Sequence, residues 1–211
     1  MINRTLIGID FSIIKPAACV LKNNEYTFIS WPYDLSETHL EIYRNSPVRI
    51  IKRTDIRQKT KNITEKVQFE IENSKYLARL ILNVIRQYLN GGVYIAFESL
   101  SYGSHGDVIL QLSSYKSVLM QMLTEVVPVE SIFSFSPITV KHTAGCSKKG
   151  MKKSDMIEVF KTRETPFSLY LKENEEKFKT KGGKNYISHL DDFVDAYFVL
   201  ETLHNHCSKG S

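Results

Sequence analysis

The acidic side chains that stand in apolar surroundings are where this sequence shows chemistry. Asp10 closes the run Leu6-Ile7-Gly8-Ile9, and Glu98 closes Val93-Tyr94-Ile95-Ala96-Phe97. A carboxylate at the end of a buried run is costly unless something compensates it. Farther on, His189-Leu190-Asp191-Asp192-Phe193-Val194-Asp195 opens a stretch whose other positions are apolar. Asp192 and Asp195 are three apart and Asp191 and Asp195 four apart, so either pair shares a helix face and spacing alone does not choose. Acids gathered at one point repel strongly at low dielectric. Hard divalent cations relieve that repulsion, and all-oxygen ligation suits Mg²⁺ or Mn²⁺ rather than zinc. Two such ions about 4 Å apart can activate a water and stabilise the departing oxygen of a phosphodiester. Taken singly, each acid has a plainer explanation as a turn former or a helix-dipole partner. Their order, strand end, later strand end and C-terminal helix, favours the metal reading.

The elements that must position these acids can be read from the pattern of apolar residues. The run 6–10 predicts a buried strand, and 17–21 and 26–31 predict two more joined at Asn23-Asn24, residues that tolerate a hairpin turn. Residues 34–61 read as polar and irregular. Leu77, Leu80, Ile81, Val84, Ile85 and Tyr88 recur at three- and four-residue steps, a helical face that Asn90-Gly91-Gly92 ends. A strand over 93–97 and a small-residue loop over 99–106 follow. A helix over 107–126 is expected to turn Leu110, Leu112, Tyr115, Val118, Leu119 and Met122 inward. A strand at 131–136 stops at Pro137, and helices are expected at 153–161 and 189–204. The charged segment 163–184 ends in Lys181-Gly182-Gly183-Lys184 and predicts a mobile loop. Strands first in hairpins, then alternating with helices, predict a mixed α/β sheet covered on both faces. One domain over 1–207 is expected, with a basic insertion around 40–66.

Composition bounds the partners. The chain has 211 residues, 42% hydrophobic and 24% charged, in the range of one globular domain. Twenty-eight basic against 23 acidic residues leave +5, which permits a nucleic-acid partner and argues against a strongly cationic ligand. No apolar run approaches the roughly 20 residues of a membrane span, and 6–9 is too short for a signal-peptide core. Cys19, Cys146 and Cys207 are odd in number and far apart, which excludes a disulfide framework and argues against a cysteine-built zinc site. An intracellular, reducing location is therefore expected, with no membrane partner and no organic cofactor.

Lys141, Lys148, Lys149, Lys152 and Lys153 form a run without an acid, broken by Gly145 and Gly150. Lysines neutralise phosphates and glycines let backbone approach them, so this run is a candidate DNA contact. Arg53 and Arg57 are candidates in the second basic segment, where Tyr43 is the nearby aromatic. His189, one turn before Asp192, could reach a metal centre or move a proton, although such a histidine more often packs. His204-Asn205-His206-Cys207 is read as an ordinary helix end, and Trp31 and Tyr33 as hairpin packing.

Four stretches resemble the RuvC family of Holliday-junction resolvases, within the RNase H-like superfamily. Leu6-Ile7-Gly8-Ile9-Asp10 is similar to its first strand with the metal-binding aspartate, and Ile95-Ala96-Phe97-Glu98 to the strand bearing its glutamate. Residues 110–118 resemble the next helix, and Asp192-Phe193-Val194-Asp195-Ala196 its D-x-x-D-A helix start, which favours Asp192 over Asp191 as ligand. The connection from Pro137 to Met156 resembles the family's lysine-bearing one, with Lys141 and Lys153 in the matching places. The chain departs from the bacterial pattern at Phe11-Ser12, where Pro-Gly is usual, and Tyr102 is one residue out of register with the family's base-stacking aromatic. The resemblance implies a five-stranded RNase H-like sheet and an endonuclease that cuts four-way DNA junctions. Asp10, Glu98, Asp192 and Asp195 would hold two Mg²⁺ ions, Mn²⁺ substituting, and a metal-activated water would leave a 5′-phosphate and a 3′-hydroxyl. Lys141 and Lys153 would position phosphates or offset developing charge. It also implies a homodimer, its interface on the helix over 107–126. A divergent member, from a virus or an organelle, is expected. Nucleases for other branched, hybrid or packaging substrates, and an inactive nucleic-acid-binding relative, are the alternatives.

Overall fold

The computed structural model describes residues 4–54, 61–100, 106–148, 151–180, 182–183 and 185–209. Strand β1 (Thr5–Asp10) is buried almost throughout and lies mid-sheet. It pairs antiparallel with β2 (Ala17–Lys22), which turns through Asn23 and Asn24 into β3 (Glu25–Ser30). Both asparagines adopt positive φ, 53° and 64°, as a two-residue hairpin between right-twisted strands requires. On its other side β1 pairs parallel with β5 (Val93–Glu98), and β5 with β6 (Ile132–Phe135).

The insertion is more regular than its composition predicts. Helix α1 (Glu37–Arg44) leads into β4 (Val48–Ile50), which adds to β3 in parallel. The sheet therefore has six strands, in the order β4-β3-β2-β1-β5-β6, where the family resemblance implies five. Three residues are too short for alternation to show, so β4 was hidden in a polar segment. Helix α2 (Ile63–Ile85) starts fourteen residues before the apolar face beginning at Leu77, because its first turns are exposed and only Asn62, accepting from the Thr64 and Glu65 amides, marks the start.

Alternation along the strands divides the core. Ile7, Ile9, Ala18, Val20, Ile95 and Phe97 face α2 and α3 (Gly106–Thr124). Leu6, Ala17, Cys19, Phe28 and Ala96 face the opposite layer, built on α7 (Ser188–Lys209). Leu110, expected inward on α3, is instead 67% exposed. Five residues from buried Tyr115, it falls on the far side of a helix with 3.6 residues per turn. In its place Lys116 is buried on the inner face.

The layer on the α7 side also includes α4 (Pro137–Thr143), α5 (Lys153–Lys161) and α6 (Pro166–Glu173). The segment expected as a mobile loop is thus largely helical, and Phe167, Leu171 and Phe178 are fully buried. Its charges pair with one another and with side chains of α5 and Tyr186. Lys161 Nζ lies 2.7 Å from Glu175 and 2.8 Å from Glu158, Lys179 Nζ lies 3.0 Å from Glu175, and the Tyr186 hydroxyl lies 2.8 Å from Glu175. A segment so charged can pack when its polar groups satisfy each other while its aromatic residues enter the core.

Helix α7 sets the geometry of everything above it. A Cβ placed on Gly8 would stand 2.4 Å from both Ala196 O and Leu200 N of α7. The helix backbone lies directly on the β1 backbone, which only glycine permits.

Gly8→Ala is expected to destabilise the protein by about 3 kcal/mol, the upper range for overpacking, read as a lower urea midpoint. The hydrogen bonds from Lys161, Lys179 and Tyr186 hold the Glu175 carboxyl down to about 2. Its contribution is complete above the unfolded value of about 4.3 and disappears as pH falls towards the folded one. The stability deficit of Glu175→Gln should accordingly shrink across that acid window in urea unfolding.

Candidate active site

Register decides which acids meet. Gly8 pairs with Ala96 and Ile9 with Phe97, so one step further Asp10 lies beside Glu98 at the carboxyl ends of two parallel strands. Both share the face of Gly8 and Ala96, towards α7. Ala196 rests on Gly8, which places Asp195 and, one turn earlier, Asp192 over the same strand ends. Asp10, Glu98, Asp192 and Asp195 line a single cleft together with Lys141, Lys152 and Lys153. Asp192, rather than Asp191, faces into it. This location, beyond the carboxyl ends of parallel strands, is where open α/β sheets place ligands.

The acids raise one another's proton affinity. Burial, then the charges of Asp195, Asp192 and Glu98, holds the Asp10 carboxyl well above the usual carboxylate range. Burial and Asp195 push Glu98 up. Burial raises Asp195 although Lys153 opposes it. Lys153 donates to Asp195 Oδ2 at 2.9 Å, and that pairing lifts its ammonium above the ordinary lysine value against the opposing effect of burial. Burial and mutual repulsion thus disfavour the ionised acids, and Lys153 offsets part of that at Asp195.

Asp192 Oδ2 is buried and accepts no hydrogen bond among the described residues. His189 Nδ1 approaches it at 3.3 Å and Lys15 Nζ at 3.5 Å. Among the described residues no three His, Cys, Asp or Glu side chains stand arranged to hold a metal ion. The donor types nevertheless suit a hard dication: four carboxylates, one with a buried oxygen lacking a hydrogen bond, beside a single cysteine, Cys146, whose thiol burial pushes up and so keeps protonated. Gathering them around an ion requires side-chain rotation and separation of Lys153 from Asp195.

The other residues singled out by sequence divide three ways. Lys141 on α4 and Lys152 at the start of α5 join the cleft, while Lys148 is exposed. Tyr102, Arg57 and Lys149 lie outside the described residues. Arg53 is a correction: it is 5% exposed, and its Nη2 donates to Ile13 O at 2.7 Å, bracing the loop after β1. A guanidinium turned inward onto a main-chain carbonyl is not a phosphate contact. His189 is buried edge-on against Tyr43 and Phe193, 5.6 and 5.4 Å between ring centres.

Two lysines escaped the sequence reading. Lys116 donates to Glu98 O at 2.6 Å and lies 5.2 Å from the Phe97 ring, fixing the end of β5. Its signal was its place on the helix, four residues after Leu112 and three before Leu119, on the apolar stripe. Lys15 had no such signal, since the loop after β1 carries no periodicity.

No family model matches the sequence, and no curated protein does. Solved structures do match. Thermus thermophilus RuvC in complex with a Holliday junction substrate aligns with a TM-score of 0.53 at 12% identity, over 98% of this chain and 96% of that one. Thermus thermophilus RuvC alone aligns with the same score and identity. The yeast mitochondrial Holliday junction resolvase Ydc2 aligns with a TM-score of 0.50 at 14% identity, over 99% of this chain and 85% of that one. With its strand order and its layers of helices, the chain is a divergent bearer of the RuvC-like, RNase H-like fold.

Proposed function

We propose that this chain is a divalent-metal-dependent endonuclease that resolves four-way DNA junctions. The observation that carries the reading is the convergence of Asp10, Glu98, Asp192 and Asp195 in one cleft beside Lys141, Lys152 and Lys153. The likeness in fold to RuvC, solved with a Holliday junction substrate, supports the choice of substrate.

The four carboxylates would hold two Mg²⁺ ions, with Mn²⁺ able to replace them. When bound, such ions supply Lewis acidity and an activated water for in-line attack on phosphorus. The chain's own part is electrostatic and positional. The sheet holds the backbones of Asp10 and Glu98, and Lys116 ties the Glu98 main chain, so only side-chain rotation is left to bring the donors together. Lys153, drawn from Asp195, and Lys141 are placed to grip the phosphate being cut and to offset its growing charge. Exposed Lys148 extends the cationic surface along the DNA, and Lys149 continues it in sequence.

Symmetric cutting needs two equivalent sites, so the active species is a two-fold dimer. Helix α3 supports that reading, because its Leu110 is 67% exposed on the side turned away from the core. An exposed leucine on a helix is what a self-complementary interface can cover.

A labelled four-way junction incubated with the protein and Mg²⁺ should acquire paired nicks carrying 5′-phosphates. Cleavage should fall at least a thousandfold in Asp10→Asn, on the scale of losing a major electrostatic contributor, and vanish in chelator. Cleavage that persists in either case, or that is no better on junction than on linear duplex, would overturn the proposal. Leu110→Glu should shift the protein from dimer to monomer in sedimentation equilibrium while leaving its circular dichroism unchanged.

A further inference from the structure

Lys15, on the loop between β1 and β2, brings its ammonium to Asp192, one of the cleft acids, and the loop's backbone is tied down around it. The Lys15 amide donates to Ser12 Oγ at 2.9 Å. The Tyr33 amide donates to Ile14 O at 2.8 Å, the Trp31 amide to Pro16 O at 3.0 Å, and the Ser30 hydroxyl to the same carbonyl at 2.9 Å. Arg53 holds Ile13 O from the interior. With both flanks of the residue fixed, the backbone presents a side chain that is 27% exposed beside Asp192.

Its ammonium lies 3.5 Å from Asp192 Oδ2, beyond hydrogen-bond distance, so charge attraction rather than a directed bond joins them. Lys153 and Asp195, by contrast, are hydrogen-bonded at 2.9 Å. A buried carboxylate oxygen that accepts no hydrogen bond is open to competition between an ammonium and a hard dication. Lysine is suited to lose that competition without loss of fold, being a point charge on a flexible stem.

We propose that Lys15 is a displaceable counter-cation of Asp192. It screens the carboxylate cluster, yields the oxygen to a divalent cation, and then contacts a DNA phosphate beside the cleft. This role rests on the nuclease reading above, and it couples metal loading to DNA binding. Removing the ammonium must therefore affect the two ligands in opposite senses. A mispacked loop would weaken both.

The test uses Lys15→Gln and Lys15→Arg in the full chain. Mn²⁺ binding without DNA, followed by the electron paramagnetic resonance of free Mn²⁺, should tighten in Lys15→Gln by about fivefold, the scale of one partly exposed ion pair. Binding of a fluorescent four-way junction is then measured across salt concentrations, in chelator and in Ca²⁺. In Ca²⁺ the slope of log K against log salt should be less steep in Lys15→Gln by about 0.9, one phosphate contact. In chelator its slope should equal that of the wild type, and Lys15→Arg should keep the wild-type slope in both. Unchanged or weaker Mn²⁺ binding, or equal slopes in Ca²⁺, would overturn the role of Lys15 alone. A wild-type protein that binds neither Mn²⁺ nor the junction would overturn the nuclease reading and this role with it, and the wild-type data suffice to tell the two failures apart.

Discussion

How closely α7 can approach β1 governs the cleft. The two backbones meet at Gly8, where a single added carbon would stand 2.4 Å from the helix main chain. Because the contact is backbone on backbone, it leaves little freedom in the register of the helix along the strand. Asp195 precedes the touching residue Ala196, and Asp192 lies one turn before it, so fixing Ala196 on Gly8 fixes both acids over Asp10. An approach held apart by a larger side chain would lift these carboxylates from the strand ends, and the cluster would disperse.

Such clustering has an electrostatic cost, which the fold meets with cations from widely separated parts of the chain. Lys153 comes from the start of α5, Lys15 from the first loop and Lys116 from α3, each approaching a different acid or its main chain. Burial, together with the neighbouring acids, nevertheless keeps the proton affinities of Asp10, Glu98 and Asp195 raised. Acids gathered in a partly buried cleft are poised for external cations, and the lysines beside them for the phosphates those cations accompany.

The surrounding helices serve this arrangement indirectly. The network of Lys161, Glu175, Lys179 and Tyr186 pins α6 and its neighbours to α5, and so steadies the helix that begins with Lys153. Arg53 does the same for the first loop, from inside. A charged residue in this chain can therefore be scaffold or site, and its charge alone does not say which. Arg53 and Lys15 differ in which way the backbone turns them.

Local pattern was sufficient for the strands that end in Asp10 and Glu98, the asparagine hairpin, and the last helix with its acids three apart. Each depends on neighbours within a few residues, which alternation, turn chemistry and helical spacing report directly. Where the pattern is short or masked by charge it was silent: β4 has three residues, the first turns of α2 are exposed, and 163–184 hides Phe167 and Phe178 among lysines and glutamates. The inward turn of Arg53 and the approach of Lys15 to Asp192 were decided only in three dimensions. Those outcomes depend on the rotation of α7 against β1 and on hydrogen bonds between segments some forty residues apart, and no local spacing encodes either.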